Sequence, residues 1–540
     1  MFRQLWKLFK RRSKSSGDDW SHHPDISMLI QQAQQAKIRK RLNDNLELLA
    51  HFGGPSFDVA VRRFKVAGKV PAALVRLDGL VDSKTVEEIL QSLMLDSRLV
   101  GEPEGGAAIE EVAMERLLTV TEVRQANDIN DMFTALSIGD AVLLFDGVAQ
   151  ALLCDAKGFQ TRSIVEPDAE KVLRGPREGF IESLRTNTSL IRRRIRIPHL
   201  WIESLTIGEL TRTEVAFAYI KGLAREKLVR EVRERLKRIK TDSILGSGYL
   251  EGFIMDDPLS LFPLVARTER PDRAAAALLE GRVVILVDGS PHVLIVPVEL
   301  SMELQSPDDY YENSLAGTFI RVLRYLSLLL SLLLPGSYVA IINFHHELLP
   351  TGLLLRITAT REGVPFPVVV EVLLLDTLFE ILREAGVRLP AAIGPAISIV
   401  GALILGDAAI RAGLVSPAVV IVIALTAIAS FTAPAFSLGI SIRILRFVFT
   451  IAGGGLGLFG VQFVLLVTVV FLCSLRSFGV PYLTPIAPLI WTDLKDAVLR
   501  IWWGGMRQRP KLLGAREPGR MDQGQTPYGG KDPGEGGGEQ

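Results

Sequence analysis

The chain has 540 residues, 48% hydrophobic and 22% charged, with 61 Lys and Arg against 60 Asp and Glu and a mean hydropathy of +0.28. That balance excludes a disordered chain and a nucleic-acid binder driven by global charge, and a positive mean hydropathy at this length points to segments that live in lipid. The two cysteines, Cys154 and Cys473, argue against a disulfide framework or a cysteine-based zinc site.

Residues 1–39 read as a basic N-terminal tail. Arg3, Lys7, Lys10, Arg11, Arg12 and Lys14 precede the first acid, Asp18, and no apolar core follows them, so no signal peptide is expected. The tail is either solvated or drawn to anionic lipid with Trp6, Leu8 and Phe9.

Residues 40–166 and 167–300 read as two cytosolic α/β subdomains, joined by a turn-rich stretch around Glu166, Pro167, Gly175 and Pro176. "GDAVLLFDG" from Gly139 and "GRVVILVDG" from Gly281 echo each other. Each is a buried strand ending in an Asp-Gly turn, so Asp146 and Asp288 are expected to shape turns rather than do chemistry. Lys221–Lys240 reads as a charged helix with one apolar stripe, Leu228, Val232, Leu236 and Ile239. Its basic residues form a solvated face or meet lipid headgroups or a partner.

After a connector at 301–324, residues 325–476 read as an all-α transmembrane domain. Tyr325–His346 is a charge-free run of 22 residues, about 33 Å long as a helix. Leu389–Gly406, Ala412–Ile442 and Phe447–Leu475 are three more such runs. These four are the expected spans. Pro365–Gly386 is amphipathic, with Asp376, Thr377, Glu380, Arg383 and Glu384 on one face, and is expected to be re-entrant or interfacial; were it to span, Arg443 and Arg446 would lie inside and the basic C-terminal tail outside. Glu371 sits on its apolar side. Four spans place Arg443 and Arg446 outside and both termini in the cytosol, with Arg321 and Arg324 just before the first span. Pro335-Gly336, Pro417 and Pro434 are candidate bends. Residues 477–513 read as an interfacial C-terminal segment whose stripe is Leu494, Ala497, Val498, Ile501 and Trp502, and 514–540 as a disordered tail.

Motifs for chemistry are missing. There is no phosphate loop, nucleophile elbow, His-Glu-x-x-His or Cys-x-x-Cys, and "GGGLGLFG" at 453–460 suits close helix packing rather than nucleotide binding. His345, His346 and Glu347 end a span, where polar residues belong. No enzyme activity, cofactor or metal is expected.

Longer strings carry a resemblance. "RGPREGFIESLRTNTSLIRRRI" from Arg174, "RTERPDRAAAALLEGRVVILVDGSPHVLIVP" from Arg267, "SPDDYYEN" from Ser306, "VPFPVVVEVLLLDTLFEILREAGVRLP" from Val364 and "SFGVPYLTP" from Ser477 resemble the A subunits of spore germinant receptors, the GerA family, over roughly residues 130–490. The resemblance implies a protein of the inner spore membrane, with a two-part cytosolic region and a helical membrane domain. It also implies a homo-oligomer that works with a permease-like B subunit and a lipoprotein C subunit as a nutrient-gated ion channel. A non-conducting scaffold for the sensing subunits is the alternative.

A channel needs a lining that tolerates water. Gly394, Ser398, Gly401 and Leu405 recur on one helical face that runs into Asp407. Copies around an axis would form a ring of Asp407 carboxylates favouring cations, with Leu403 or Leu405 closing the path by dewetting. The same small residues equally suit plain helix packing, with Asp407 in a headgroup-level loop. Glu371 is the second candidate, an acid on an apolar face that must be paired, protonated or watered; Arg383 or Arg388 of a neighbouring chain is a candidate partner for a pathway role, and a buried ion pair holding the helix in place is the structural alternative.

Overall fold

The computed structural model describes residues 26–66, 68–94, 121–158, 166–167, 170–388, 407–506, 508–513 and 519–520. The expectations for 1–25 and for most of the tail beyond 513 lie outside the described residues.

The first α/β unit comprises α1 (Ile26–Gln35), α2 (Leu42–Gly53), β1 (Val59–Val66), β2 (Val70–Leu77), α3 (Ser83–Met94), β3 (Val123–Ala126), α4 (Ile129–Ile138), β4 (Asp140–Phe145) and β5 (Ala151–Asp155). Its sheet runs β1-β2-β4-β5-β3 with every neighbour antiparallel. Apolar cores lie on both faces, so β4 reads as an unbroken buried run rather than an alternating one. The edge strand β1 exposes Arg62, Arg63 and Lys65, which deters pairing with another sheet. α1 packs against α4, so the unit begins inside the stretch read from sequence as tail.

The second unit repeats the plan with α5 (Leu184–Arg194), β6 (Leu200–Ile207), β7 (Thr213–Ile220), α6 (Glu226–Arg238), α7 (Ser247–Ile254), β8 (Ala266–Thr268), α8 (Pro271–Leu279), β9 (Val283–Val287) and β10 (Val293–Val296). Its order, β6-β7-β9-β10-β8, is the same. The echo extends to single hydrogen bonds. Leu42 N donates to Asp146 Oδ1 at 2.9 Å and Leu184 N to Asp288 Oδ1 at 3.1 Å, each pair 104 residues apart. Both aspartates therefore tie the turn after a central strand to the start of a helix. Gly147 and Gly289 adopt φ 93° and 78° there, a region glycine enters without strain. α6 starts after the expected Lys221 because Gly222 (φ 84°) makes a turn, and Leu228, Val232 and Leu236 are buried as its stripe.

The two units are clamped together. Arg192 makes a bidentate pair with Asp58 at 2.8 and 2.9 Å, with both side chains almost wholly buried. Trp201 Nε1 donates to Phe52 O, and Phe57 N to Ile202 O, each at 3.0 Å.

The remainder is helical: α9 (Leu300–Glu303), α10 (Asp308–Tyr311), α11 (Ser314–Phe344), α12 (Thr351–Ala359), α13 (Val368–Arg388), α14 (Pro417–Ser430) and α15 (Phe436–Ser474). Two of these, α11 and α15, are long and apolar enough to cross a membrane. α11 begins inside the expected connector, because Arg321 and Arg324 are neutralised by Asp309 and do not interrupt it.

α15 is not one rod. Its residue Gly457 has φ 63° and ψ −150°, outside the helical region. Ser441 Oγ bonds Leu261 O at 2.5 Å, while Phe471 meets the ring of the adjacent Phe262 at 6.3 Å between centroids. A straight helix would separate Ser441 from Phe471 by about 45 Å. The chain therefore folds back at Gly457 into two antiparallel limbs. Both pack on α11, with Gly336 against Gly453: a Cβ built on Gly453 would come within 2.3 Å of Gly336 O.

This corrects the expected spans. The run 412–442 breaks at 431–435, where Pro434 lacks an N–H and restricts Ala433, while the boundary expected at Arg443 and Arg446 is continuous helix. Pro417 opens α14 rather than bending it, and Pro335 lies within unbroken α11. Pro365–Gly386, expected to be re-entrant or interfacial, lies largely in α13, a 21-residue helix packed against α11, α14 and α15. The stretch expected as an interfacial C-terminal segment opens with a short hairpin, β11 (Arg476–Ser477) and β12 (Val480–Pro481), docked on the second unit, and its helical part is a single turn at Leu494–Ala497. Asp496 and Arg500 of this segment are engaged with the connector.

Candidate functional site

The inward surface of α13 carries three acids, each met by arginine. Glu371 is fully buried among Val339, Val368, Val372, Leu375 and Val419. One of its oxygens takes Arg361 Nη2 at 3.0 Å and the other accepts the backbone N–H of Ser416 at 3.0 Å. Its partner is thus in the same chain, on the loop before α13, and not Arg383 or Arg388 of a neighbour. Arg383 instead bonds Ser430 Oγ at 2.5 Å and lies over the rings of Phe431 and Phe379 at 4.4 and 5.1 Å. Glu371 lies in the first turn of α13, its N–H donating to Pro367 O at 3.1 Å just ahead of the helix.

On another side of α13, Asp376 and Glu380 face the first limb of α15. Arg446, fully buried, reaches both oxygens of Asp376 at 2.7 and 2.9 Å and Glu380 at 2.9 Å. Arg443 adds a bond to Glu380 at 2.8 Å. With Arg383 also 3.8 Å from Glu380, three cations share two carboxylates inside an apolar bundle, where an unpaired charge costs several kcal/mol. The wheel that grouped Asp376, Glu380 and Arg383 was sound, but the water-facing side it implied is a helix interface. Arg446 was missed as a site residue, although an arginine amid apolar residues is itself a signal.

A second cluster joins the bundle to the α/β part. Buried Asp309 accepts from Arg321 Nε at 3.1 Å and from Arg324 at 3.0 and 3.2 Å. Arg500 donates to Asp309 O at 3.2 Å and lies over the rings of Tyr310 and Trp503. Asp496 takes Arg321 at 3.2 Å and the Tyr310 hydroxyl at 3.0 Å, and burial raises its carboxyl above the usual range. A cleft of roughly 200 Å³ beside it is lined by Asp272, Arg273, Gln305, Tyr310 and Trp503. Next to this junction, Glu303 is buried and pushed up to about 7, chiefly by desolvation, against the opposing pull of Arg273.

Of the pore candidates, Gly394, Ser398, Gly401, Leu403 and Leu405 lie outside the described residues. Asp407 is about half exposed and ion-paired with Arg411 at 2.7 Å, so its charge is already matched within its own chain. His345 lies against Gly457, and among the described residues no group of three His, Cys, Asp or Glu is placed to hold a metal ion. The arrangement suits charge handling and mechanical coupling.

A family model described as Bacillus/Clostridium GerA spore germination protein matches residues 47–512, further toward the N-terminus than the motifs reach. Spore germination protein KA of Bacillus subtilis (strain 168) is 42% identical over 96% of this chain and 95% of its own length. Spore germination protein GerLA of Bacillus cereus is 37% identical over 89% and 96%, and spore germination protein A1 of Bacillus subtilis (strain 168) 35% identical over 91% and 100%. The crystal structure of the N-terminal domain of the A subunit of the Bacillus megaterium spore germinant receptor GerK3 aligns with 48% of this chain and 96% of its own at 37% identity, with a TM-score of 0.39.

Proposed function

The chain belongs to the GerA family of spore germination proteins, and on that premise we propose that it is a multi-pass membrane subunit of a germinant receptor, in the inner spore membrane with both termini cytosolic. It oligomerises, works beside a permease-like B subunit and a lipoprotein C subunit, conducts cations when nutrient is sensed, and catalyses no reaction. One observation carries the reading: five charged groups, Asp376, Glu380, Arg383, Arg443 and Arg446, sit between apolar helices, where charge marks an ion route or its support. The chain also enters the bundle at α11 and leaves it at the 476–481 hairpin beside the same α/β unit, which supports an even number of passes. Gating is a shift between closed and open packings, with nutrient binding by the partner favouring the open one.

The test is ion flux through reconstituted complexes, with and without partner subunits and candidate nutrients, comparing wild type with Leu403→Ala and Asp407→Asn. Nutrient-dependent flux altered by both substitutions is expected. The Asp407 to Arg411 pair favours a second reading, a non-conducting scaffold, because it neutralises the carboxylate the ring would need. No flux from an assembled complex would select that reading.

A further inference from the structure

Leu259, on the loop after α7, is 93% exposed. Two residues later the chain touches the helical bundle, through Leu261 O on Ser441 and Phe262 on Phe471. Two and three residues of extended chain span about 7 and 10 Å, so Leu259 stands within those distances of Leu261 and Phe262, which meet the two limbs of α15. The outer surface of those limbs is itself apolar and open, with Phe436, Ile440 and Val470 exposed. α7 continues the pattern: Leu250 and Ile254 are buried beneath it, while Phe253 is more than half exposed on its outer side. Apolar surface of this extent is not left to water. Arg476, exposed directly after α15, is a basic side chain of the kind that meets lipid headgroups at the end of a span.

We propose that α7 and the loop to Leu259 lie on the bilayer surface, with Leu259 and Phe253 set among the headgroups and upper acyl chains. The occupant is lipid because the patch continues the outer surface of α15. This rests on the reading of α11 and α15 as membrane spans.

The experiment uses the full chain with Cys473→Ser, in nanodiscs of phosphatidylcholine and phosphatidylglycerol. An environment-sensitive fluorophore is attached at Leu259→Cys, at Val470→Cys on the outer face of α15, or at Val61→Cys on the distant edge strand β1. Lipid spin-labelled near the headgroup should quench the Leu259 and Val470 labels roughly twofold or more, at the 5–10 Å depth of an interfacial element, and leave Val61 unchanged. Quenching at Val470 without quenching at Leu259 overturns the proposal while the spans stand. No quenching at either site sinks the spanning reading itself. A Leu259 label that is blue-shifted yet unquenched is covered by protein, such as a second copy, and also overturns it.

Discussion

Arg446 and Asp376, 70 residues apart in sequence, meet at 2.7 Å between α13 and the first limb of α15, with almost no exposed surface on either side chain. Arg446→Met should destabilise the bundle by about 3–5 kcal/mol, because Asp376 keeps its burial cost and loses its match, and Asp376→Asn should cost less because Glu380 still pairs with Arg446. Joining the two substitutions should recover much of the loss. Thermal unfolding of the detergent-purified protein checks this; additive losses would show that the pair does not act as a unit.

The clamp between the two α/β units gives a separate expectation. Asp58→Ala strands the buried Arg192 guanidinium and should loosen the units by a similar amount, about 3–5 kcal/mol. Hydrogen exchange should rise at Phe52–Asp58 and at β6 first, and leave the helical bundle unchanged.

Glycines 453 and 455 should part company. A methyl group on Gly453 runs into Gly336 O, whereas one on Gly455 meets nothing within 4 Å. Gly453→Ala should cost roughly 1–3 kcal/mol by forcing α11 and α15 apart, and Gly455→Ala should be neutral. Melting temperatures of the two variants decide it.

The pH dependence has a defined sign. Glu303 titrates near 7 in the fold against an ordinary 4.5, so between those values the folded chain holds a proton that the unfolded chain has released. Stability therefore falls as pH rises through that window, by roughly 3 kcal/mol from this group when complete. Glu303→Gln should flatten the decline between pH 5 and 8 in a thermal scan. Equal slopes for the two proteins would assign the decline to other groups.

The α/β units were legible because their signals are local. Buried runs such as "VVILV" and the Asp-Gly turns after them depend on neighbours in sequence, so strands and turns could be read in place. The bundle resisted for the opposite reason. Arg443 and Arg446 looked like a break between spans because charge in lipid is costly, and what removes that cost is a pair of acids on α13, about 60 to 70 residues earlier. Glu371 stood out as an acid out of place, yet only the folded chain could name Arg361. The reversal at Gly457 was concealed in a glycine run that also suits straight helices packed closely.

Leu261 and Phe262 hold both feet of the folded-back α15, and this limits what the pair of limbs can do. Neither limb can slide lengthwise past the other while one dipeptide anchors both. Held at their feet and joined at Gly457, the limbs move as one hairpin, so the second α/β unit acts as a lever whose displacement carries both limbs at once.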